Sequence, residues 1–209
     1  KILAADSPLS IQAHPNSAQA SEGFARENAA GVGIQATDRN YKDDRHKPEM
    51  IVALTEFEAL CGFKSTKQIR NLLESMLDPT DVSDGLRTLV NHWLELFDSE
   101  DGLRKLFVDI VNRRGNLDGV NAELSAQANL SAQFELAARL NILYPGDPGV
   151  IVALLMNHVW LAPGRLRNAP PTSKLALLAT WAVLQVNAVP LPVAVEDVQT
   201  PQPFGNAVP

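Results

Sequence analysis

Apolar and polar positions in the first part of the chain predict a sheet with one helix beside it. Residues 1–14 contain two short apolar stretches separated by a Ser-Pro break, which predict two strands. The pattern of residues 17–30 is that of a short amphipathic helix that begins after a Pro-Asn-Ser sequence and ends before a glycine. A polar loop follows over residues 33–45. The branched apolar residues of 48–55 and the segment FEALCGF then predict further strands of a buried sheet.

From Ser65 onward the spacing of apolar residues becomes helical. The segment STKQIRNLLESM opens with a Ser-x-x-Gln capping box, which is typical of a helix start. Three further amphipathic helices are predicted by VSDGLRTLVNHWLELF, SEDGLRKLFVDIVNRRG and NAELSAQANLSAQFELAARL. The apolar run of residues 149–161 then predicts a strand that a Pro163-Gly164 turn closes. The order of elements is therefore sheet, helical insertion, sheet.

The tail from Arg165 differs from the rest of the chain because it is rich in Pro, Ala and Val. No charged residue occurs from Leu175 to Val195, and a stretch of that length would permit a membrane span. Gln185, Asn187 and two prolines interrupt it, however. We therefore expect no membrane segment.

Composition places the chain among ordinary globular proteins. Of its 209 residues, 45% are hydrophobic and 20% are charged. A net charge of -6 and a pI near 5.2 argue against a nucleic-acid surface, which usually needs a basic patch. The single cysteine, Cys61, excludes an internal disulfide and favours a reducing, cytoplasmic location. Because the first residues, KILAAD, are already strand-like and lack an initiator Met, we expect that an N-terminal part is missing.

Three residues have the chemistry of metal ligands. Gln12 and His14 lie two apart in a predicted strand, so both point to the same face. Imidazole nitrogen is a common zinc ligand, and an amide oxygen can serve as a further ligand of the same ion. Glu49 begins the next apolar strand, where a carboxylate is costly unless it is paired or metal-bound. By spacing alone, a hydrogen-bonded structural histidine and a carboxylate in a salt bridge remain alternatives.

The other polar candidates have ordinary structural explanations. We expect His92 to lie on the surface or in the core of a helix. His158 lies on a late predicted strand, where we expect a structural role, with replacement of a metal ligand as the alternative. Cys61 is interpreted as a small buried residue rather than a nucleophile. Asp43 and Asp44 are interpreted as solvated loop residues, with orientation of a neighbouring basic residue as the alternative.

Four stretches together resemble the type I phosphomannose isomerases (mannose-6-phosphate isomerases). They are AADSPLSIQAHP, GFARENAAG, RNYKDDRHKPEMIVALTEFEALCGF and LYPGDPGVIVALLMNHVWLAPG, in family order across Lys1–Gly164. The resemblance implies a mainly β fold with an α insertion, that is, a partial cupin-type β-barrel (jelly roll) plus a helical insertion domain. The implied division is a barrel segment at 1–64, the insertion at 65–140, a return strand at 141–164 and a divergent tail at 165–209.

The same resemblance implies a function and a set of site residues. It implies one zinc ion per chain, held by Gln12, His14, Glu49 and a further histidine. It places Lys47 and Ser10 in the substrate pocket, with Lys47 as a catalytic residue that either stabilises an enediolate or binds phosphate. The implied reaction is the cytoplasmic interconversion of mannose 6-phosphate and fructose 6-phosphate. A monomer that binds a small phosphosugar, and neither nucleic acid nor membrane, is expected.

The chain departs from the family pattern after LAPG. The family continues there with a HAY motif that supplies the last zinc-ligand histidine, and later with an arginine in NSDNVLRGGLTPK. This chain has RLRNAPPTSKLALLATWAVLQV instead, and no histidine follows His158. One hypothesis is that the tail is a frame-shifted or otherwise misread extension; the alternative is a genuine variant with a shortened barrel. In both cases we expect weak zinc binding and little or no turnover.

Two non-enzymatic alternatives follow from this departure. The first is a cupin-like protein that binds metal or sugar phosphate without turnover, which the missing histidine and arginine favour. The second is an interaction protein that uses the helices of Ser65–Leu140.

Overall fold

The computed structural model describes residues 7–9, 11, 15–46, 50–129, 131–168 and 181–186. The helices of this part are α1 (Ser17–Ala29), α2 (Thr66–Ser75), α3 (Asp84–Asp98), α4 (Gly102–Asn112), α5 (Asp118–Ala126), α6 (Ala132–Leu143) and α7 (Pro148–Leu155). The strands are β1 (Met50–Val52), β2 (Phe57–Phe63), β3 (Met156–Leu161), β4 (Leu166–Asn168) and β5 (Trp181–Val186).

The predicted first helix is confirmed, together with the signals that start and end it. Asn16 is the N-cap of α1, and its side-chain oxygen accepts a hydrogen bond from the Gln19 backbone N–H at 3.0 Å. The Gln19 side chain accepts in return from the Asn16 N–H, which completes a capping box. Beyond the helix, Gly31 has a φ of 74°, a left-handed conformation that glycine adopts without strain.

The helices of the insertion pack together into one group. The capping box predicted at Ser65 is present, because the Gln68 side chain and the Ser65 hydroxyl each accept the backbone N–H of the other residue. The apolar faces of the helices share one core with α7, around the fully buried Trp93 and Leu106. The prediction of a single helix over residues 121–140 is wrong. Those residues form α5 and α6, which pack against each other across a polar turn.

The prediction of a strand over residues 149–161 is wrong in its first half, which is helix α7. The Asp147 side chain caps this helix by accepting from the Gly149 N–H at 2.7 Å, and Pro148 occupies the first turn. Every residue of α7 is buried. A helix that is apolar on all sides has no amphipathic period, so its sequence cannot be distinguished from that of a buried strand. The second half of the run is strand β3, as predicted.

The described strands form two antiparallel sheets, one of three strands and one of two. β2 lies between β3 and β5, and β1 pairs with β4. Side chains of β2 alternate between the cores: Phe57 and Ala59 enter a small apolar cluster with Ala53, whereas Leu60 enters the large helical core. Because the described residues contain more helix than strand, the prediction of a mainly β fold is not confirmed.

The tail is described only in short pieces. The predicted Pro163-Gly164 turn is present, with the Arg165 N–H donating to the Ala162 carbonyl at 3.0 Å. No helix in the described ranges is long and apolar enough to cross a membrane. Of the uncharged stretch 175–195, the structure describes only β5, which pairs with β2. The predictions about the rest of the tail lie outside the described residues.

Candidate functional site

The residues predicted to form the site lie outside the described residues: Ser10, Gln12, His14, Lys47 and Glu49. These residues lie in two motifs, residues 10–14 and 47–49, and the structure describes the chain on both sides of each motif. The first motif is followed by α1, and the second is preceded by the polar loop of residues 31–46, here called the α1 loop. The contacts between α1 and the α1 loop therefore decide how close the ends of the two motifs lie.

The Glu27 carboxylate fixes the middle of the α1 loop. Its two oxygens accept hydrogen bonds from the consecutive backbone N–H groups of Asn40 and Tyr41, at 3.1 and 2.8 Å. Glu27 lies on α1 and is 9% exposed, although carboxylates are rarely that buried unless they are paired. Burial acts to raise the pKa of Glu27, but the hydrogen bonds from the Tyr41 and Asn40 backbone outweigh it and hold that pKa below its usual value. Glu27 is therefore an ionised anchor for this loop.

The Arg39 guanidinium is the second buried charge of this region. It donates to the Tyr41 carbonyl at 2.7 Å, to the Val32 carbonyl at 2.5 Å and to the Asn28 side-chain oxygen at 2.7 Å. It also lies 3.7 Å from the Glu27 carboxylate. These partners belong to the end of α1 and to both arms of the α1 loop. Arg39 therefore ties the two arms of the loop to each other and to the helix.

Tyr41 packs directly on the backbone of α1. A Cβ atom at Gly23 would lie 2.4 Å from the Tyr41 ring, closer than real contacts allow. The Arg26 guanidinium lies 5.8 Å from the centre of the same ring, at cation–π distance. Gly23 thus permits a close approach between the helix and the loop.

Two weaker contacts continue the loop toward the start of α1. The Ser21 hydroxyl donates to the Asp44 carbonyl at 3.4 Å, and the Ser17 hydroxyl lies 3.1 Å from His46 Nδ1. With the Glu27 anchor, these contacts show that the α1 loop runs back along the helix, from its last turn to its first. His46, just before the second motif, therefore lies beside Ser17, just after the first motif.

Apolar residues on the flanks of both motifs enter the cores. Leu9 and Ile51 pack against the small cluster of Ala53, Phe57 and Ala59, and Ile11 packs against the helical core. The backbone before the first motif is also held, since the Tyr144 hydroxyl donates to the Pro8 carbonyl at 2.8 Å.

A second polar cluster joins β2, β3 and α6. Glu58 is 1% exposed and receives two hydrogen bonds from Arg139, at 3.1 and 2.5 Å, while His158 Nε2 lies 2.6 Å away. Burial acts to raise the pKa of Glu58, but His158 and Arg139 outweigh it and lower that pKa to about 2. His158, the candidate replacement ligand, is thus engaged by a carboxylate on the neighbouring strand.

The remaining candidates occupy structural positions. His92 lies on the surface of α3, with Nε2 3.3 Å from Asp109. Cys61 is half-buried on β2, and the Asp43 carboxylate accepts from the Arg45 backbone N–H within the loop. The Asp44 carbonyl is the acceptor for Ser21. No group of three His, Cys, Asp or Glu residues in the described ranges has the arrangement of a metal site.

Sequence reasoning missed the buried charges that hold these elements. Glu27, Arg39 and Glu58 have no periodic signal, and their partners are backbone groups or residues far along the chain. One feature of the sequence could have indicated such a charge. Glu58 is the charged residue of the otherwise apolar segment FEALCGF, where a buried carboxylate requires a partner.

Known proteins match a large part of this chain. Residues 1–66 match the family model of the phosphomannose isomerase type I catalytic domain. Mannose-6-phosphate isomerases of Salmonella typhimurium and Escherichia coli are 37% and 38% identical over 167 residues, which cover 78% of this chain and 41% of each relative. The chain thus spans about two fifths of the length of these curated relatives.

Solved structures show the same similarity in three dimensions. One match is the Salmonella typhimurium mannose 6-phosphate isomerase bound to substrate (f6p) and zinc. The match covers 88% of this chain and 44% of that protein's chain, with a TM-score of 0.68 and 33% sequence identity. The zinc-bound holo form matches equally, with a TM-score of 0.68. Over the part that these matches cover, the chain is therefore similar in sequence and in fold to the type I phosphomannose isomerases.

Proposed function

We propose that this chain carries part of the active site of a zinc-dependent aldose–ketose isomerase that interconverts mannose 6-phosphate and fructose 6-phosphate. The observation that supports the proposal most is the path of the α1 loop. Because Ser17 and His46 are in contact, the ends of the two predicted ligand motifs start from neighbouring positions. A few residues of chain, each spanning at most about 3.5 Å, separate these ends from Gln12, His14 and Glu49.

The donor set of the two motifs suits zinc. Gln12 offers an amide oxygen, His14 an imidazole nitrogen and Glu49 a carboxylate, and three protein ligands are usual at a catalytic zinc. We propose that these residues hold one zinc ion per chain. When bound, zinc would supply Lewis-acid stabilisation of the negative charge that develops on the substrate carbonyl oxygen.

The chain's own polar groups have distinct proposed roles in the isomerisation. The reaction moves a proton between C1 and C2 through an enediol, so it needs a positioned base and a positive group near the developing charge. Lys47 is the proposed catalytic cation, which either stabilises the enediolate or binds the phosphate. Ser10 is proposed to contact the substrate. His46 is a candidate proton carrier, with a structural role at the strand end as the alternative, and its Nδ1 lies 3.1 Å from the Ser17 hydroxyl.

We further propose that the 209 residues alone turn substrate over slowly or not at all. The sequence contains no histidine after His158 and lacks the arginine motif of the family. The same observation favours the second candidate function, a cupin-like protein that binds metal or sugar phosphate without catalysis.

Several broader expectations remain part of this proposal. They are a partial cupin-type barrel with division points near residues 64, 140 and 164, a monomeric state, a cytoplasmic location, and no nucleic-acid partner. Native mass spectrometry of the purified chain tests the monomer, and a dimer peak would contradict it.

Metal binding by single variants tests the proposed function. Wild type, Gln12→Ala, His14→Ala and Glu49→Ala are titrated with zinc in competition with a chromogenic chelator, and His92→Ala is the matched control because His92 lies on α3, outside both motifs, and contacts Asp109. We expect each ligand variant to lose at least about tenfold in zinc affinity. Unchanged affinity in all three would contradict the metal site, and measurable turnover by the wild-type chain would contradict the proposed impairment.

A further inference from the structure

We propose that Lys64 is a modification site whose amine accepts an acyl group from small acyl phosphates. Lys64 follows β2 directly and lies outside both motifs, so this site is independent of the proposed metal site. The contacts of its amine distinguish it from the exposed lysines Lys42, Lys67 and Lys105.

Lys64 is held at both ends of its side chain. Its backbone N–H donates to the Leu155 carbonyl at 2.9 Å, and its amine donates to the Leu154 carbonyl at 2.6 Å. The amine also donates to the Gln133 side-chain oxygen at 2.8 Å. It is therefore fixed where the end of β2 meets the end of α7 and the start of α6.

These contacts suit a neutral amine. A neutral amine has two N–H groups and one lone pair, whereas an ammonium group has three N–H groups and no lone pair. The described residues supply two acceptors to Lys64, and neither is a carboxylate. When both N–H groups of the neutral amine are bound, its lone pair points away from the two acceptors and can act as a nucleophile.

Burial favours the neutral amine as well. Lys64 is half-buried, and burial lowers its pKa from 10.5 to about 8. No charged side chain in the described ranges forms an ion pair with this amine or contributes to the shift. Near neutral pH, a larger fraction of Lys64 than of an ordinary exposed lysine is therefore unprotonated, and a desolvated lysine is an activated nucleophile.

The same surroundings determine what kind of group the amine can accept. A half-buried amine admits a small acyl group, and the amide product carries no charge, which suits a site where charge is disfavoured. In the reaction the lone pair attacks the acyl carbon, a C–N bond forms, and the C–O bond to phosphate breaks. The phosphate leaves with the electron pair, and the nitrogen loses one proton to water. The amide keeps one N–H, so modification removes one of the two hydrogen bonds to Leu154 and Gln133.

The experiment treats the folded chain with acetyl phosphate between about pH 7 and pH 10 and measures the acetylation rate of each lysine by peptide mass spectrometry. Lys67, exposed on α2, is the control within the same molecule. Gln133→Glu replaces the neutral acceptor with a carboxylate of the same shape. Gln35→Glu adds a carboxylate at an exposed position of the α1 loop and is the matched control. Circular dichroism verifies that each variant is folded.

At about pH 7.5, we expect Lys64 to be acetylated at least about fivefold faster than Lys67, because more of its amine is unprotonated. The rate at Lys64 should level off above about pH 8, whereas ordinary exposed amines continue to gain reactivity toward about pH 10. In Gln133→Glu the carboxylate favours the ammonium form, so the rate at Lys64 should fall at least about threefold. Gln35→Glu should match wild type.

Two results would overturn the proposal. The first is acetylation of Lys64 no faster than that of Lys67 in the folded wild-type chain at about pH 7.5. The second is a rate at Lys64 in folded Gln133→Glu that stays within about twofold of wild type, because the contacts of the amine would then not set its reactivity. If Gln133→Glu does not fold, the wild-type profile decides, and a rate at Lys64 that rises steadily from about pH 8 to pH 10 contradicts the proposal.

Discussion

Glu58 is a carboxylate that the interior tolerates only because of its partners. Its side chain is 1% exposed, and Arg139 and His158 reach it from α6 and β3. A buried charge of this kind contributes little net stability with its partners present, but removal of one partner leaves the others uncompensated. The cluster is therefore sensitive to single substitutions.

Replacement of Glu58 by Gln should destabilise the protein. The isosteric change removes the charge that Arg139 and His158 contact, and we expect a loss of about 2 kcal/mol in the free energy of unfolding, reduced from fully buried cases because Arg139 keeps part of its surface in water. Urea denaturation measures the loss. Glu95→Gln, at an exposed position of α3, is the control and should change the free energy by less than about 0.5 kcal/mol. Equal effects of the two variants would contradict this account.

The contribution of Glu58 should also depend on pH. The pKa of Glu58 is lowered from 4.5 to about 2 in the folded protein, so the folded state favours the ionised form. The stabilisation is complete above the unfolded pKa and is lost as pH falls from 4.5 toward 2. We expect the difference in unfolding free energy between wild type and Glu58→Gln to be smaller at about pH 3 than at about pH 6. A constant difference over this range would exclude an ionised Glu58.

Lys64 should give a pH dependence at the alkaline end. Its ammonium group donates to the Leu154 carbonyl at the end of α7 and to the Gln133 side chain, and burial lowers its pKa from 10.5 to about 8. Between these values the unfolded chain binds more protons than the folded one, so stability rises with pH.

Substitution of Lys64 by Met removes this dependence. Between about pH 8 and pH 10, we expect the free energy of unfolding of wild type to rise by about 1 kcal/mol relative to that of Lys64→Met. The value is modest because the side chain is only half-buried. Guanidinium denaturation at both pH values measures the difference. A fall in the free energy of unfolding of wild type relative to Lys64→Met over that range would contradict a lowered pKa of Lys64.

At the scale of elements, two glycines in helices have opposite requirements. A Cβ atom at Gly102 would lie 2.0 Å from the Phe97 backbone carbonyl oxygen, at the tight junction between α3 and α4. At Gly119, near the start of α5, a Cβ would meet nothing within 4 Å. The two positions provide a matched pair.

Alanine substitution should therefore destabilise one site and not the other. Gly102→Ala should lower the free energy of unfolding by at least about 2 kcal/mol, because the atoms that block the methyl group belong to the backbone and cannot move aside. Gly119→Ala should be neutral or stabilise by up to about 1 kcal/mol, because alanine restricts the unfolded chain and favours helix. Thermal unfolding followed by circular dichroism compares the two, and a destabilised Gly119→Ala would contradict the open space at that position.

Elements with a local signal were predictable from the sequence. The start of α2 was predicted from its capping box and the start of α1 from a Pro-Asn-Ser sequence, because in both helices the capping partners lie within one turn. Helix α7 was not predicted, because burial on all sides removes the amphipathic period. The break between α5 and α6 was missed for a different reason: the linking residues are helix-compatible, and the packing of the two helices decides where the chain turns.

For the whole molecule, the sequence predicted the two motifs but not what holds them together. Spacing in SIQAHP and HKPE indicated ligands, and the resemblance supplied their partner residues. The anchor at Glu27 and Arg39 depends on backbone groups of the α1 loop, and no sequence pattern specifies such contacts. The path of the α1 loop between the two motifs therefore follows from these contacts and not from the motifs.

The central claim is that one zinc ion is bound by one imidazole and two oxygen ligands of this chain. X-ray absorption spectroscopy of the zinc-loaded chain tests it directly. We expect nitrogen and oxygen neighbours at about 2.0–2.1 Å, with the outer-shell scattering of a single imidazole. Sulfur at about 2.3 Å, which would place Cys61 on the metal, or the signature of two or more imidazoles would contradict the account.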